Sequence, residues 1–485
     1  MIAVLKLTEM FFYLYGILTL ISLIVVIYIL SKKNNPSYKL AWTIPVLSFP
    51  VFGGLFYLIF GRKKTTKRFI KKMKSIHDET DRFIVQDEEI LNEIKLENKP
   101  VYNQVKYLES NAFSPIYKNT ITSYLSPGEK YYKVLLRELK KAKKYIFLEY
   151  FIIEEGKMWN SILEVLIEKV REGVDVRIIY DDMGCLRTLP YKYEETLRNL
   201  GIKVVVFNPF VPFLSVFMNN RDHRKIVVID GHTAFTGGIN LADEYINEVE
   251  RFGHWKDSGL MLKGDAVWKF TVMFLQAWIF STNEEVEFKN YYPHINYQGN
   301  FEGYGYVQPY GDSPLDDEIV GENVYLNMIN KAKSYVYITT PYLIVDNEIV
   351  TALTLAAKSG IDVKIITPHI PDKWYVHMVT RAYYEQLIEA GVSIYEYEPG
   401  FIHSKNFVCD DEIGVVGTIN LDYRSLYLHF ECGVLMYKTE AIKDIKEDFL
   451  NTLKKSKKIS IEDTRKIKWA DKFITAILRV FAPLM

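Results

Sequence analysis

The sequence predicts an α/β protein: two similar α/β domains packed around one shared site, preceded by a hairpin of two membrane-spanning helices. Three observations carry that expectation. Two uncharged apolar segments of spanning length stand near the N-terminus. Beyond them, helical patterns alternate with short runs rich in Val, Ile and Tyr. The order of those elements then repeats once, with the same polar constellation in each copy.

The first apolar segment is Phe11 to Leu30, "FFYLYGILTLISLIVVIYIL". The second is Leu40 to Phe60, "LAWTIPVLSFPVFGGLFYLIF". At a rise of ~1.5 Å per residue each is long enough for a hydrocarbon core of ~30 Å. A cleaved signal peptide has a shorter apolar run and an A-x-A-like site, and neither is present. Pro45, Pro50, Gly53 and Gly54 are poor residues for a soluble core helix and are tolerated in membrane helices. Lys67, Lys71, Lys72 and Lys74, with Arg62, Arg68 and their neighbours, form an acid-free basic run after the second segment. Positive charge favours the cytoplasmic side, so the N-terminus and everything after Gly61 are expected there. The basic run is also expected to lie against anionic head groups, at ~1 kcal/mol per Lys or Arg. The expected divisions are a hairpin over 1–61, a basic helical linker over 62–110, and domains over 111–300 and 301–485. An amphipathic tail ends the second domain.

The repeat is legible element by element. "AKKYIFLEYFI" from Ala142 returns as "AKSYVYITTPYLI" from Ala332, and "VDVRIIYDD" returns as "IDVKIITP". "HRKIVVIDG" is followed by "AFTGGINLADEY"; "HSKNFVCDD" is followed by "IGVVGTINLDYRS". Alternating helices and β-rich runs predict α/β units with mostly buried strands. A period of this length is too long for a solenoid, so two packed domains are expected.

Each copy holds His-x-Lys and then Asp: His223, Lys225 and Asp230, and His403, Lys405 and Asp410. In a strand, i and i+2 share a face. Two such faces brought together suit a phosphate. The lysines neutralise its oxygens, one neutral His attacks phosphorus, and the other, protonated, releases the leaving alkoxide. Asn240 and Asn420, each behind a glycine-bearing turn, are candidate donors to the phosphate. Asp257 and Glu431 are candidate carboxylates for fixing each His tautomer. Each motif offers one His and a Lys, with no second His at ligand spacing, so no metal and no other cofactor are expected. Cys185, Cys409 and Cys432 fit neither a zinc pattern nor a disulfide framework, which suits a reducing compartment.

The duplicated motif, the "PVFGGLFYLIFGR" segment, "GGINLADEY", "WKDSGLMLKG", "YGDSP" and "GTINLDYRS" resemble the phospholipase D superfamily, and bacterial cardiolipin synthases in particular. The resemblance implies a phosphatidyltransferase of the cell membrane, with its catalytic domains on the cytoplasmic side. Two phosphatidylglycerols would give cardiolipin and glycerol through a phosphohistidine. It carries His223, Lys225, Asn240, His403, Lys405 and Asn420 into the site and gives Asp230 and Asp410 a structural part. It also makes Asp257 and Glu431 the carboxylates that orient the histidines. His223 is taken as the nucleophile, and His403 as general acid and later base.

Other readings stay open at this stage: a hydrolytic phospholipase D, a transferase using phosphatidylethanolamine, and a nuclease. Lys plus Arg and Asp plus Glu number 60 each. A zero net charge gives no broad basic surface, so a nucleic-acid partner is not expected. Membrane phospholipids and an anionic membrane surface are the expected partners. "FNPFVPFLSVFMNN", from Phe207 to Asn220, is expected to dip Phe210, Phe213, Leu214, Phe217 and Met218 into the bilayer beside His223. The tail "WADKFITAILRVFAPLM" is expected to dock there too, with Trp469 at the interface.

Overall fold

The computed structural model describes residues 2–33, 35–50, 52–60, 66–210, 219–293, 301–466 and 469–484. Helix α1 (Ile2–Leu30) opens the chain, and its Met10–Leu30 stretch, with mean hydropathy 2.5, is long and apolar enough to cross a membrane.

The second apolar segment differs from expectation. It forms α2 (Pro36–Ser48) and α3 (Gly53–Phe60), and the chain doubles back between them. Trp42 and Tyr57 would sit ~22 Å apart along one straight helix, yet their ring centres are 5.2 Å apart. The prolines and glycines make the turn. A Cβ on Gly53 would fall 2.6 Å from Pro45 O, and Ser22 Oγ of α1 donates to Pro50 O. At ~1.5 Å per residue α2 and α3 reach only ~20 and ~12 Å, so neither crosses a bilayer alone.

Within the expected linker over 62–110, the chain from Glu88 on packs on the second half. Helices Glu88–Glu97 and Lys99–Ala112 bury Leu91, Ile94, Val101, Val105 and Leu108 in the core of the second half. The basic helix α4 (Thr66–Thr80) lies against the helix Val267–Thr282, with Phe69, Ile70 and Met73 on the core.

The first half is a seven-stranded mixed sheet in the order β1-β7-β6-β5-β2-β3-β4. Its strands are β1 (Thr120–Leu125), β2 (Tyr145–Tyr150), β3 (Asp175–Asp181), β4 (Lys203–Phe207), β5 (Ile226–Ile229), β6 (Thr233–Gly237) and β7 (Gly259–Gly264). The second half holds β8 (Tyr306–Asp312), β9 (Tyr335–Thr339), β11 (Asp362–Pro368), β12 (Ser393–Tyr397), β13 (Asn406–Cys409), β14 (Ile413–Gly417), β16 (Glu431–Tyr437) and β17 (Ser456–Lys458). A two-residue ladder joins β10 (Leu343–Ile344) to β15 (Leu421–Asp422). The second sheet runs β8-β16-β14-β13-β9-β11-β12-β17, the order of the first sheet with one edge strand added. In the first sheet β2, β3 and β4 pair in parallel, in the second β9, β11 and β12 do, and the remaining pairs are antiparallel.

The two sheets share a core. Phe147, Val228 and Leu260 of the first half cluster with Val307, Val416 and Val434 of the second. The halves are therefore fixed against each other by buried apolar surface, at about 25 cal/mol per Å².

Candidate active site

Neither motif histidine lies within a strand. Each stands in an extended segment just ahead of one, and that segment is stitched to the opposite half. His223 N donates to Phe430 O at 2.9 Å, and Phe430 N donates to Arg221 O at 2.8 Å. In the mirror arrangement His403 N donates to Lys256 O at 2.7 Å, and Lys256 N donates to Phe401 O at 2.9 Å. The residue after Phe430 is Glu431, and the residue after Lys256 is Asp257.

The carboxylates are therefore exchanged between halves. His223 Nδ1 is 2.8 Å from Glu431 Oε1, and His403 Nδ1 is 2.7 Å from Asp257 Oδ2. Local sequence explains how each carboxylate fits. A Cβ on Gly238 would lie 2.2 Å from Asp257 Oδ1 and 2.9 Å from His403 O, so the second glycine of "GGIN" admits the aspartate. At the matching position Thr418 donates its hydroxyl to Glu431 Oε2. With each Nδ1 engaged, Nε2 is the free nitrogen of both rings.

The four motif His and Lys side chains are all buried. Burial, then Lys225, holds His223 well below the usual imidazole range. Burial and Lys405 push His403 down to about 4, against the pull of Asp257. Burial also pushes Lys225 to about 8 and Lys405 to about 7. The two carboxylates differ. Burial acts to raise Asp257, but His403, Lys405 and the Ser258 N–H outweigh it and hold Asp257 low. Burial carries Glu431 well above its ordinary value despite Lys225. Two buried His-Lys pairs facing one another are a candidate place for an anion.

The remaining expected residues are placed unevenly. Lys225 Nζ donates to His223 O at 2.6 Å, and Lys405 Nζ donates to His403 O. Asn240 is committed within the protein: Nδ2 donates to Tyr245 OH at 2.7 Å and Oδ1 accepts from Ile152 N. Asn420 Oδ1 is buried and unpartnered, and both asparagines line the cavity with His223 and His403. Asp230 and Asp410 point away from it. Asp230 accepts from the N–H groups of Lys143, Lys144 and Tyr145, and Asp410 from those of Lys333, Ser334 and Tyr335. Each clamps the start of the strand beside its motif.

Sequence reasoning missed His429. Its ring centre is 5.6 Å from that of His223, and nitrogens of both lie within 4.8 Å of a Glu431 oxygen. Spacing along the chain had offered no second histidine. The cross-half stitching brings it in, and its place two residues before Glu431 was the available signal. Of the expected lip, Phe210 is exposed; residues 211–218, including Phe213, Leu214, Phe217 and Met218, lie outside the described residues.

The depressed histidines set a pH dependence. Above pH ~6.5 His403 is neutral in folded and unfolded chains alike. Between there and about 4 the unfolded chain takes up a proton that the folded chain refuses. Stability is therefore full above pH ~6.5 and falls as pH drops toward 4. His223 and His429, also held low, add with the same sign. Thermal melts from pH 7.5 to pH 4.5 should show a falling Tm, and His403→Asn should flatten the slope. A slope unchanged in that variant would assign the loss to other groups.

A duplicated sheet order with one His-Lys pair from each half defines a phospholipase D-like protein. A family model described as the phospholipase D-like domain of cardiolipin synthase matches residues 135–259 and again 325–453, and one for the phospholipase D-nuclease N-terminal region matches 17–62. The chain belongs to the cardiolipin synthase family. It is 36% identical over 474 residues to the cardiolipin synthase of Alkalihalophilus pseudofirmus, covering 97% of this chain and 93% of that protein. It is also 36% identical over 479 residues to that of Geobacillus kaustophilus, covering 97% and 94%. An uncharacterized protein of Streptococcus mutans is 47% identical over 461 residues, covering 95% of this chain and 99% of that one. The crystal structure of phosphatidylserine synthase from Haemophilus influenzae superposes with a TM-score of 0.56 at 16% identity, over 78% of this chain and 97% of that one, and shares the fold.

Proposed function

We propose that the protein is a cardiolipin synthase: a phosphatidyltransferase that joins two phosphatidylglycerols and releases glycerol. The carrying observation is one cavity holding two histidines, each braced at Nδ1 by a carboxylate of the opposite half. His223 Nε2 attacks the donor phosphorus, and the bond to the glycerol oxygen breaks. Protonated His403 gives its proton to that oxygen. His403, now neutral, takes the proton of the second phosphatidylglycerol's hydroxyl as that oxygen attacks the phosphohistidine. Cardiolipin leaves and both histidines return to their starting states. The unequal carboxylates support this division. Asp257, held low, stabilises an imidazolium at His403, while His223, held below the imidazole range beside Glu431, suits attack. A bound phosphodiester raises both imidazole pKa values by offsetting the lysine repulsion. We assign Lys225, Lys405 and the Asn420 amide N–H to the phosphate from their places in the two motifs, and Asn240 to a part through the Tyr245 hydroxyl.

Purified protein given phosphatidylglycerol in mixed micelles should form cardiolipin and glycerol in equal amounts. Phosphatidic acid as the main product would make it a hydrolase. Ethanolamine release, on adding phosphatidylethanolamine, would widen the donor class.

The doubled-back segment supports a membrane arrangement other than the two crossings and cytoplasmic N-terminus expected from sequence. α1 crosses once, whereas 36–60 enters and leaves on one face. Lys32, Lys33 and Lys39 then share a side with the basic run of α4, where two full crossings would separate them. That common side is the cytoplasm, with the catalytic domains, and the N-terminus lies opposite. The helix Trp469–Phe481 packs on α2 with Trp469, Phe473, Ile474 and Ile477 exposed, which supports an interfacial position. The native cysteines are buried. In whole cells an impermeant thiol reagent should therefore label Ala3→Cys and spare Lys141→Cys. Labelling of neither would restore two crossings.

A further inference from the structure

The cavity around the two histidines is larger than one phosphate group requires, and one side of it is basic. It encloses about 370 Å³ and extends past His223 to His429, Arg221, Arg424 and Lys373. Arg424 Nε donates to His429 Nε2 at 3.3 Å, and among the described residues Arg424 forms no ion pair with a carboxylate. Arg221 is 3.6 Å from Asp181, and Lys373 is 3.8 Å from Asp372. Asp372 and Asp422 also line the cavity, so its lining carries two acids against three cations, with Asp181 behind Arg221. His429 is buried among these groups and is held well below its ordinary range by burial, then by Arg424, Lys225, Arg221 and Lys373. An arginine outside any close ion pair among the described residues, lining a cavity beside a phosphate site with Asp422 nearby, is a planar fork suited to an oxyanion.

We infer that the Arg424, Lys373 and Arg221 side of the cavity is a second phosphodiester subsite, which holds the acceptor phosphatidylglycerol by its own phosphate. This rests on the transferase reading above. The product carries two phosphates joined through a glycerol. With the reacting phosphorus between His223 and His403, the second phosphate must lie about one glycerol away. The basic side begins one ring beyond His223, at His429, with Arg424 behind it. Water and free glycerol carry no phosphate and gain nothing from Arg424. The subsite thus favours a lipid acceptor over water by binding what only the lipid has.

Two reactions separate this role from general damage. Cardiolipin formation uses the phosphate-bearing acceptor. Exchange of the phosphatidylglycerol head group with isotopically labelled free glycerol uses the same donor step and a neutral acceptor. In Arg424→Gln and in half-exposed Lys373→Gln, cardiolipin formation should fall roughly 10- to 100-fold more than glycerol exchange, the worth of a lost charge-assisted hydrogen bond. The loss should appear in the dependence on phosphatidylglycerol surface fraction, and Arg424→Lys should recover part of it. Parallel loss of both reactions in both variants would overturn the acceptor subsite and leave the cations to the donor or the fold. A wild-type protein that catalyses neither reaction would instead sink the transferase reading itself.

Discussion

Cardiolipin formation should fall by about four orders of magnitude in His223→Ala, by a similar factor in His403→Ala, and little further in the double variant. Residues that act as one unit show such non-additive losses. Each imidazole is needed in both half-reactions: one carries the phosphatidyl group while the other moves the proton. Loss of either leaves only what the lysines contribute by binding the phosphate. The single variants also separate the roles. A donor with a leaving group that needs no protonation should load His223 in the His403→Ala protein, because the attacking nitrogen is intact and the missing acid is not required. Mass spectrometry of the quenched protein would find the adduct on the peptide containing His223. An adduct on His403 in the His223→Ala protein would reverse the assignment.

Asp257→Asn should lower turnover by 10²- to 10⁴-fold, about the range seen when a histidine loses its orienting carboxylate. The change is nearly isosteric, and the amide can keep the Ser258 N–H contact that Asp257 Oδ1 accepts at 2.7 Å. Folding should therefore survive. The lost charge is what stabilises an imidazolium at His403, so the defect should shrink with a good leaving group. Glu431→Gln acts on His223, which is never the acid in the first step, and its defect should persist with the same donor. If the good leaving group rescued Glu431→Gln and left Asp257→Asn slow, the roles of the two histidines would be exchanged.

Much of this was legible in the sequence, because duplication amplifies weak signals. One His-x-Lys ahead of a strand says little, whereas two at matching positions before "GGIN" and "GTIN" demand a common site. The sheet order could not be read, since strand pairing is set by contacts remote in sequence. The exchange of Asp257 and Glu431 was hidden for the same reason: alternation within a strand says which face a residue takes, not which histidine it meets. His429 is not legible from spacing along the chain, because only the contact between halves brings it beside His223. The apolar run from Leu40 to Phe60 had the length of a crossing. Its composition could not show that Pro50 and Gly53 would reverse the chain, because the same residues also occur in kinked helices that do cross.

The exchanged carboxylates also bear on ancestry. Because each histidine is braced from the other half, either half alone would lack the carboxylate that braces its own histidine. In the fused chain the two halves cannot drift independently. Glycine at 238 suits the short Asp257, and threonine at 418 suits the longer Glu431. Selection on the first half's His223 therefore acts through Thr418 and Glu431, more than a domain away along the gene.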